Sequence, residues 1–294
     1  MADAAFEQAL ANAASRVDAC LNDLLPPASD GPIAEAMRYA TLNGGKRLRA
    51  FLVIEGARLF NVPETQADRT AAAIECIHAY SLVHDDLPCM DDDDLRRGNP
   101  TVHKKWDEAT AVLAGDALQT LAFEIMAHPR TAPDVAVRLK LISRLAETSG
   151  INGMVGGQAL DIAAEDAQVP LTLEEITALQ SKKTGALISW AAEAGPTLGK
   201  SDISPMTKYA QNIGLAFQIR DDILDVVGDA KITGKRVGKD EGAGKATFVS
   251  IMGLDGARQA AEALVEGACE AVASYHSAAK NLKACAQFII ERDK

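Results

Sequence analysis

The sequence is short of several features that mark whole classes of protein. Its five cysteines among 294 residues are odd in number and never form a CxxC pair, so neither a disulfide framework nor a structural zinc site is indicated. No stretch of about 18 uninterrupted apolar residues occurs, and the first residues lack the basic and then apolar segments of a signal peptide. We therefore expect no membrane span and a reduced, cytoplasmic protein.

Aromatic residues and positive charge are also scarce. Aromatics make up only 4% of the residues, whereas alanine and leucine are abundant, which favours helices over strands. The formal net charge of -11 argues against nucleic acid or an anionic membrane as the main partner. Any anionic ligand must therefore be held by local clusters of basic residues.

Hydrophobic spacing indicates helices along almost the whole chain. Leu48, Phe51 and Leu52, for example, recur at the i, i+3, i+4 spacing of one helix face. Segments that contain proline separate the predicted helices at 25–32, 61–65, 128–133 and 168–172. No interval between them shows sustained strand alternation, so we predict an all-α protein of about ten helices.

The most unusual stretch is HDDLPCMDDDDLRRG at 84–98, which contains six aspartates and two arginines. Two carboxylates about 4 Å apart repel by roughly 4 kcal/mol at an effective dielectric of 20, so a close cluster requires compensating cations. An acidic loop in water is the simpler alternative. His78, Ser81 and Asp85 share one face of the preceding predicted helix, and Pro88 ends that helix before Asp91.

A second acidic cluster, FQIRDDILDVVGD at 217–229, lies on another predicted helix. Gln218, Asp221 and Asp225 are spaced i, i+3, i+7 and so project from one face. Like charges one turn apart weaken an isolated helix by a few tenths of a kcal/mol unless a cation bridges them. Oxygen ligands from two helices suit Mg²⁺, which keeps several waters and is completed by substrate phosphates.

Basic residues occur in short groups within this acidic chain. The groups are GGKRLR at 44–49, RRG at 96–98, SKKTG at 181–185, and a glycine-rich segment at 228–245. That last segment is interpreted equally well as a solvated loop or as a mobile basic flap. Arginine gives planar, bidentate recognition of phosphate, and lysine gives a point charge. A metal-bound diphosphate accounts for both acidic helices and all four basic groups.

These motifs, in this order from about residue 35 to 250, resemble those of the trans-prenyl diphosphate synthases, the type I isoprenoid synthases. HDDLPCMDDDDLRRG and DDILD resemble the two aspartate-rich motifs of that family. GGKRLR, GGQALD at 156–161 and KTG at 183–185 are similar to its other signatures. Within the family the likeness is greatest to the bacterial farnesyl diphosphate synthases.

The resemblance implies one polyprenyl synthase domain over residues 1–294, an all-helical barrel around a deep central cavity, and a homodimer. It implies Mg²⁺-dependent joining of isopentenyl diphosphate to dimethylallyl or geranyl diphosphate to give farnesyl diphosphate. About three Mg²⁺ ions would act in each site, and Mn²⁺ would substitute for them.

By position in the motifs, the resemblance also implies roles for individual residues. The metal ligands would be Asp85, Asp86, Asp91, Asp221, Asp222 and Asp225. The allylic diphosphate would be held by Arg96, Lys183, Lys235 and Lys245. Isopentenyl diphosphate would be held by Gly45, Lys46, Arg49, His78 and Arg97. Thr184, Gln218 and the carbonyl groups near Lys183 would face the carbocation, and the four-residue spacer leaves Asp91 and Asp92 as alternatives.

The resemblance also implies that product length depends on two residues of the predicted helix that carries the first motif. Ser81 lies one turn, about 5.4 Å, before Asp85, and Tyr80 is about 100° to the side. In the resembling family a bulky aromatic at this depth forms the floor of the cavity, so Tyr80 predicts the fifteen-carbon farnesyl product. The twenty-carbon product is the alternative because Ser81 is small and the long spacer also occurs in geranylgeranyl synthases. A further alternative is that Tyr80 is an ordinary core residue.

Two other classes of protein share part of this pattern of acidic and basic motifs. A class I terpene cyclase would share the fold and the first motif, but its second motif is usually of an Asn/Ser/Glu type, unlike DDILD at 221–225. A non-enzymatic helical bundle that binds divalent cations would leave GGKRLR and SKKTG without a purpose.

Overall fold

A computed structural model describes residues 4–165, 169–227 and 246–292. The helices are α1 (Ala4–Leu24), α2 (Pro32–Leu42), α3 (Leu48–Leu59), α4 (Glu64–Asp85), α5 (Val102–Lys105), α6 (Glu108–Ala127), α7 (Val135–Ser149), α8 (Met154–Glu165), α9 (Leu173–Gln180), α10 (Ala186–Leu198), α11 (Ser204–Val227), α12 (Phe248–Ala271) and α13 (Lys280–Glu291). Short 3-10 turns cover Ala28–Asp30 and Ala273–Ala279, and a π-helical turn covers Ser181–Gly185. The prediction of an all-α fold is confirmed.

Local capping chemistry explains where the helices begin. The side chain of Asp107 accepts a hydrogen bond from the backbone of Thr110 at 2.7 Å at the start of α6. Thr172 and Glu175 form a reciprocal capping box at the start of α9. Each of the four predicted proline-containing breaks separates two consecutive helices, although α2 begins at Pro32 and α4 at Glu64, inside the first two of these stretches.

A two-residue β-hairpin interrupts the helical pattern after the first acidic motif, and the sequence did not predict it. Strand β1 (Leu95–Arg96) pairs antiparallel with β2 (Asn99–Pro100). The connecting residues Arg97 and Gly98 have φ values of 54° and 78°. Positive φ at both central residues is the type I′ geometry that matches the twist of paired strands. This turn points the neighbouring side chains of Arg96 and Arg97 to different parts of the molecule.

The core is built on α4 and α10, which are buried on nearly every side. The largest cluster of buried apolar side chains extends from Phe6 of α1 to Ile289 of α13. Within this cluster, the indole of the buried Trp190 donates to the carbonyl of Leu141 at 3.1 Å. No helix in the described ranges has both the length and the hydrophobicity that crossing a bilayer requires.

Candidate functional site

The first acidic motif folds back on itself at the end of α4. Asp85 is the last residue of that helix, and the backbone N–H of Asp91 donates to the Asp85 carbonyl at 2.8 Å. Burial raises the pKa of Asp85 to about 6; the charges of Asp91 and Asp86 also raise this pKa, whereas Lys183 and Arg96 lower it. The turn therefore concentrates negative charge that a bound cation would stabilise.

Three other aspartates of this stretch contact cations of the protein itself. Asp86 is 3% exposed and accepts a hydrogen bond from Nε of Arg96 at 2.9 Å. Burial raises the pKa of Asp86, and Arg96 opposes that rise. Asp93 lies 3.6 Å from Arg96, and Asp94 pairs with Lys104 at 2.8 Å. In this structure Asp86 orients Arg96, and its role as a metal ligand stays a prediction.

The donor set fits Mg²⁺ better than a metal held by protein ligands alone. In the parts of the chain that the structure describes, no three His, Cys, Asp or Glu side chains form a preassembled centre. Structural and catalytic zinc requires three or four protein ligands. Mg²⁺ is usually bound through one or two carboxylates and completed by water and substrate phosphates. The pair Asp85 and Asp91 matches that pattern.

The second acidic motif lies on α11. Ile219 and Ile223 are each 1% exposed and anchor the opposite face of the helix in the interior. Gln218, Asp221 and Asp225 are only partly buried. The predicted packing of α11 against the core is therefore confirmed, and the predicted i, i+3, i+7 set remains accessible to a ligand.

Asp221 has a partner that the sequence did not reveal. Arg292, just beyond α13, donates to Oδ1 of Asp221 and to the carbonyl of Phe217, the latter at 3.1 Å. The guanidinium also lies 3.8 Å from the centre of the Phe217 ring. Arg220 in turn donates to the carbonyl of Arg292 at 2.6 Å. Arg292 is thereby held against the second motif. The residues in contact are more than 70 positions apart, so no local sequence pattern signals them.

The side chain of Asp222 binds the backbone at the start of α12. Its Oδ2 accepts the backbone N–H of Phe248, the first residue of α12, at 2.7 Å. The predicted basic flap at 228–245, with Lys235 and Lys245, lies outside the described residues.

Lys183 and Thr184 lie in the π-helical turn Ser181–Gly185 between α9 and α10. Such wider turns are frequent at functional sites. Nζ of Lys183 donates to Oδ2 of Asp161 on α8 at 2.7 Å. A Cβ at Gly157 would lie 2.1 Å from the backbone nitrogen of Lys183. Only glycine at this position therefore permits α8 to approach the π-helical turn this closely. Asp161 was not predicted as a site residue, although it is the one charged residue of the GGQALD motif.

Gln158 of the same motif was also missed. It is 8% exposed, and its side-chain nitrogen and oxygen make no hydrogen bond within the described residues. A buried amide without a partner costs about 1–3 kcal/mol. Three residues before Asp161 on α8, it shares that residue's face. We expect a ligand or water to satisfy it.

The loop between α2 and α3 packs against the hairpin. Nη1 of Arg97 donates to the carbonyl of Gly44, and Asn99 donates to Asn43 at 3.0 Å. Gly45 has a φ of 114°, and a Cβ there would lie 2.7 Å from the Arg97 guanidinium carbon. The glycine at this position is therefore required both by its backbone conformation and by the approach of Arg97.

Four arginine side chains lie close enough to His78 for their charges to act on it, and we call this group the arginine pocket. Arg49 is half-buried, and its Nε makes no hydrogen bond within the described residues. Burial lowers the pKa of Arg49. Burial also lowers the pKa of His78 well below 6.5, and so do four positive charges, those of Arg49, Arg97, Arg47 and Arg96. A neutral histidine among several arginines is an environment that an anionic ligand would stabilise.

The two other basic residues of GGKRLR differ from Arg49. Lys46 is exposed, and its Nζ lies 5.3 Å from the centre of the Phe288 ring. Arg47 turns inward and pairs with Glu75 at 3.1 Å and with Asp18 at 2.7 Å. Adjacent residues of one motif therefore differ in burial: Arg47 is buried and paired with two carboxylates, whereas Lys46 is exposed.

The two residues expected to limit product length are buried below Asp85. Tyr80 is 4% exposed, and its ring meets that of His84 edge to face with centroids 5.8 Å apart. Burial raises the pKa of the Tyr80 hydroxyl, and Gln119 of α6 opposes this. Ser81 is 9% exposed and donates to the carbonyl of His78 at 3.0 Å. The role of Tyr80 as a cavity floor stays a prediction.

The state of His78 has a measurable effect on stability. Its pKa in the folded protein lies well below the ordinary 6.5, so the unfolded chain binds a proton there that the folded chain does not. Folding stability should therefore fall as the pH drops below about 6.5. We expect His78→Gln to lose part of this pH dependence, measured as urea midpoints at about pH 7.5 and about pH 5.5. The exposed His276→Asn is the control; an unchanged pH dependence in His78→Gln would contradict this assignment.

Comparisons with known proteins agree with this geometry. A sequence profile of the family described as polyprenyl synthetase matches residues 31–287. The chain is 49% identical over 277 residues to the farnesyl diphosphate synthase of Escherichia coli (strain K12), covering 91% of this chain and 92% of that protein. It is 42% identical to the chloroplastic geranylgeranyl pyrophosphate synthase 11 of Arabidopsis thaliana, covering 92% and 78%.

The fold is similar to a crystal structure of an FPP/GFPP synthase from Zymomonas mobilis in its apo form. The TM-score is 0.89 at 47% sequence identity, covering 97% of this chain and 98% of that one. With the two aspartate-rich motifs, the arginine pocket and these similarities together, the chain belongs to the polyprenyl synthetase family.

Proposed function

We propose that the chain is a farnesyl diphosphate synthase, a prenyltransferase that joins isopentenyl diphosphate to dimethylallyl or geranyl diphosphate. The observation that carries the proposal is a pair of neighbouring anion sites of different chemistry. One combines Asp85 and Asp91 with Lys183 and Arg96, and the other is the arginine pocket around His78. The first suits a diphosphate bound through metal ions, and the second suits a diphosphate bound by arginines directly.

The hairpin connects the two sites. Arg96 contacts Asp86 beside the first motif, whereas Arg97 contacts Gly44 beside the second pocket. Two substrates held by adjacent residues lie within reach of each other, which is what a condensation requires. The names of the relatives from E. coli and Z. mobilis support the same reaction.

Mg²⁺ at the aspartates, about three ions per site and replaceable by Mn²⁺, would stabilise the charge on the departing diphosphate. Lys183 and Arg96 add positive charge at the same place. Thr184, Gln218 and the carbonyls of the π-helical turn would face the allylic carbon without acting as nucleophiles. Because its pKa is lowered, His78 is a poor base. We assign proton loss to the released diphosphate instead.

An assay with defined substrates tests the proposal. Isopentenyl diphosphate, Mg²⁺ and either dimethylallyl or geranyl diphosphate should yield inorganic diphosphate and a fifteen-carbon lipid. Mainly twenty-carbon lipid would favour geranylgeranyl diphosphate synthase, which the Arabidopsis relative supports. Diphosphate release from the allylic substrate alone would indicate a terpene cyclase. No turnover with any of these substrates would favour the non-enzymatic helical bundle that binds divalent cations.

We also propose that the enzyme acts as a homodimer in the cytoplasm, where its five free cysteines stay reduced. Leu113 of α6 and Leu139 of α7 are 49% and 63% exposed, and such apolar side chains on neighbouring helices suit a dimer face. Light scattering should give about twice the chain mass of 31.1 kDa. Leu113→Glu with Leu139→Glu should yield monomer, whereas the exposed Val169→Glu should not. A monomeric unaltered protein would contradict the assignment.

A further inference from the structure

Glu75 is a buried acid beside the arginine pocket that the proposed reaction does not use. It lies on α4 one turn before His78 and is 2% exposed. Its Oε1 accepts the backbone N–H of Ala50 at 3.1 Å, and its Oε2 accepts Nη1 of Arg47 at 3.1 Å. Ala50 is the third residue of α3, so a carboxylate from another helix satisfies one of the amides at the start of α3.

The position of the Arg47 side chain depends on its contact with Glu75. It precedes α3 with a φ of 51°, a left-handed conformation that is unfavourable for a residue with a side chain. Its guanidinium also donates to Oδ1 of Asp18 at 2.9 Å and to the carbonyl of Thr41 at 2.5 Å. Hydrogen bonds to charged groups offset such a cost. The hydrogen bonds of the buried guanidinium thereby stabilise the left-handed backbone conformation of Arg47.

The backbone conformation of Arg47 sets the direction in which α3 begins, and therefore where the side chains of its first turn lie. Arg49 follows Arg47 by two residues in the first turn of α3, and the pKa of Arg49 responds to the charges of both Glu75 and Arg97. Both oxygens of Glu75 already accept hydrogen bonds from the loop and the helix start. Glu75 thus contacts the loop and the helix start, whereas the Nε of Arg49 makes no hydrogen bond within the described residues.

We propose that Glu75 is a positioning residue for isopentenyl diphosphate: through Arg47 and the start of α3 it holds Arg49 where that diphosphate binds. The inference rests on the proposed function and deepens it, because it concerns one of the two substrates only. The allylic diphosphate lies at the acidic motif and does not depend on this contact. A loss of Glu75 therefore affects the two substrates unequally.

The test is steady-state kinetics of Glu75→Gln with each substrate varied in turn. We expect the KM for isopentenyl diphosphate to rise about tenfold and the KM for the allylic diphosphate to stay within about twofold. Glu55→Gln is the matched control, since Glu55 is likewise buried and pairs with an arginine, Arg58, at 2.8 Å. An unchanged KM for isopentenyl diphosphate, or an equal rise for both substrates, overturns the proposal.

Two further variants test whether Glu75 acts through Arg47. Glu75→Gln combined with Arg47→Met should raise the KM no more than the stronger single variant, whereas multiplied effects would overturn the proposal. If Glu75→Gln does not fold, Asp18→Asn decides, because Asp18 is the partly exposed second partner of Arg47. It should raise the KM for isopentenyl diphosphate about threefold, and no rise overturns the proposal. Failure of the proposed function itself would show separately, as no condensation by the unaltered protein.

Discussion

Replacing Asp85 or Asp221 by alanine should lower turnover about a thousandfold or more while the helical circular dichroism is kept. Metal stabilisation of a leaving group contributes several kcal/mol, and each 1.36 kcal/mol is about a factor of ten in rate. Asp85 is positioned with Asp91 by the turn that ends α4, and Asp221 lies on the accessible face of α11. Near-normal turnover in either variant would contradict the assignment of both motifs.

The matched control is Asp94→Asn. Asp94 belongs to the same acidic run but is exposed and pairs with Lys104, so its removal should leave turnover within about twofold. Chelation of metal should abolish activity, and Mg²⁺ or Mn²⁺ should restore it. Asp221→Asn should accompany Asp221→Ala, because the amide oxygen of asparagine can still accept a hydrogen bond from the buried Arg292, whereas alanine cannot. A loss of folding is thereby separated from a loss of catalysis.

Replacing Tyr80 by alanine should shift the product from fifteen carbons toward twenty or more, without loss of diphosphate release. The phenol ring is comparable in size to one isoprene unit, and it is buried on α4 below Asp85. Removal of a buried aromatic costs about 3–5 kcal/mol of stability. The product ratio, measured by chromatography after dephosphorylation, does not depend on the folded fraction.

Tyr275→Ala provides the comparison for Tyr80. Tyr275 packs edge to face on Phe60 with ring centroids 5.6 Å apart, away from the acidic motifs, so its loss should leave the product unchanged. If the unaltered enzyme already makes mainly twenty-carbon lipid, or the Tyr80 variant still stops at fifteen, the ring is not the floor. Tyr80 would then be an ordinary core residue.

The sequence by itself determined the helical class, four of the breaks between helices and the identity of the motifs. The break at 168–172, for example, contains Thr172, whose capping box with Glu175 depends on hydrogen bonds within one turn. The i, i+3, i+7 face of Gln218, Asp221 and Asp225 follows from helix geometry alone. Both kinds of information are local. Helical periodicity could not show that Leu113 of α6 is exposed, because burial depends on which neighbouring elements cover a helix face.

Only the tertiary structure decided which charged side chains meet. Asp161 pairs with Lys183 across 22 positions, and Arg292 reaches Asp221 across 71. Within GGKRLR, the sequence could not tell that Arg47 turns inward to Glu75, 28 positions away. Arginines in one motif are chemically identical, and the buried carboxylates that distinguish them are supplied by other helices. Their positions follow from how the helices pack, which no local pattern encodes.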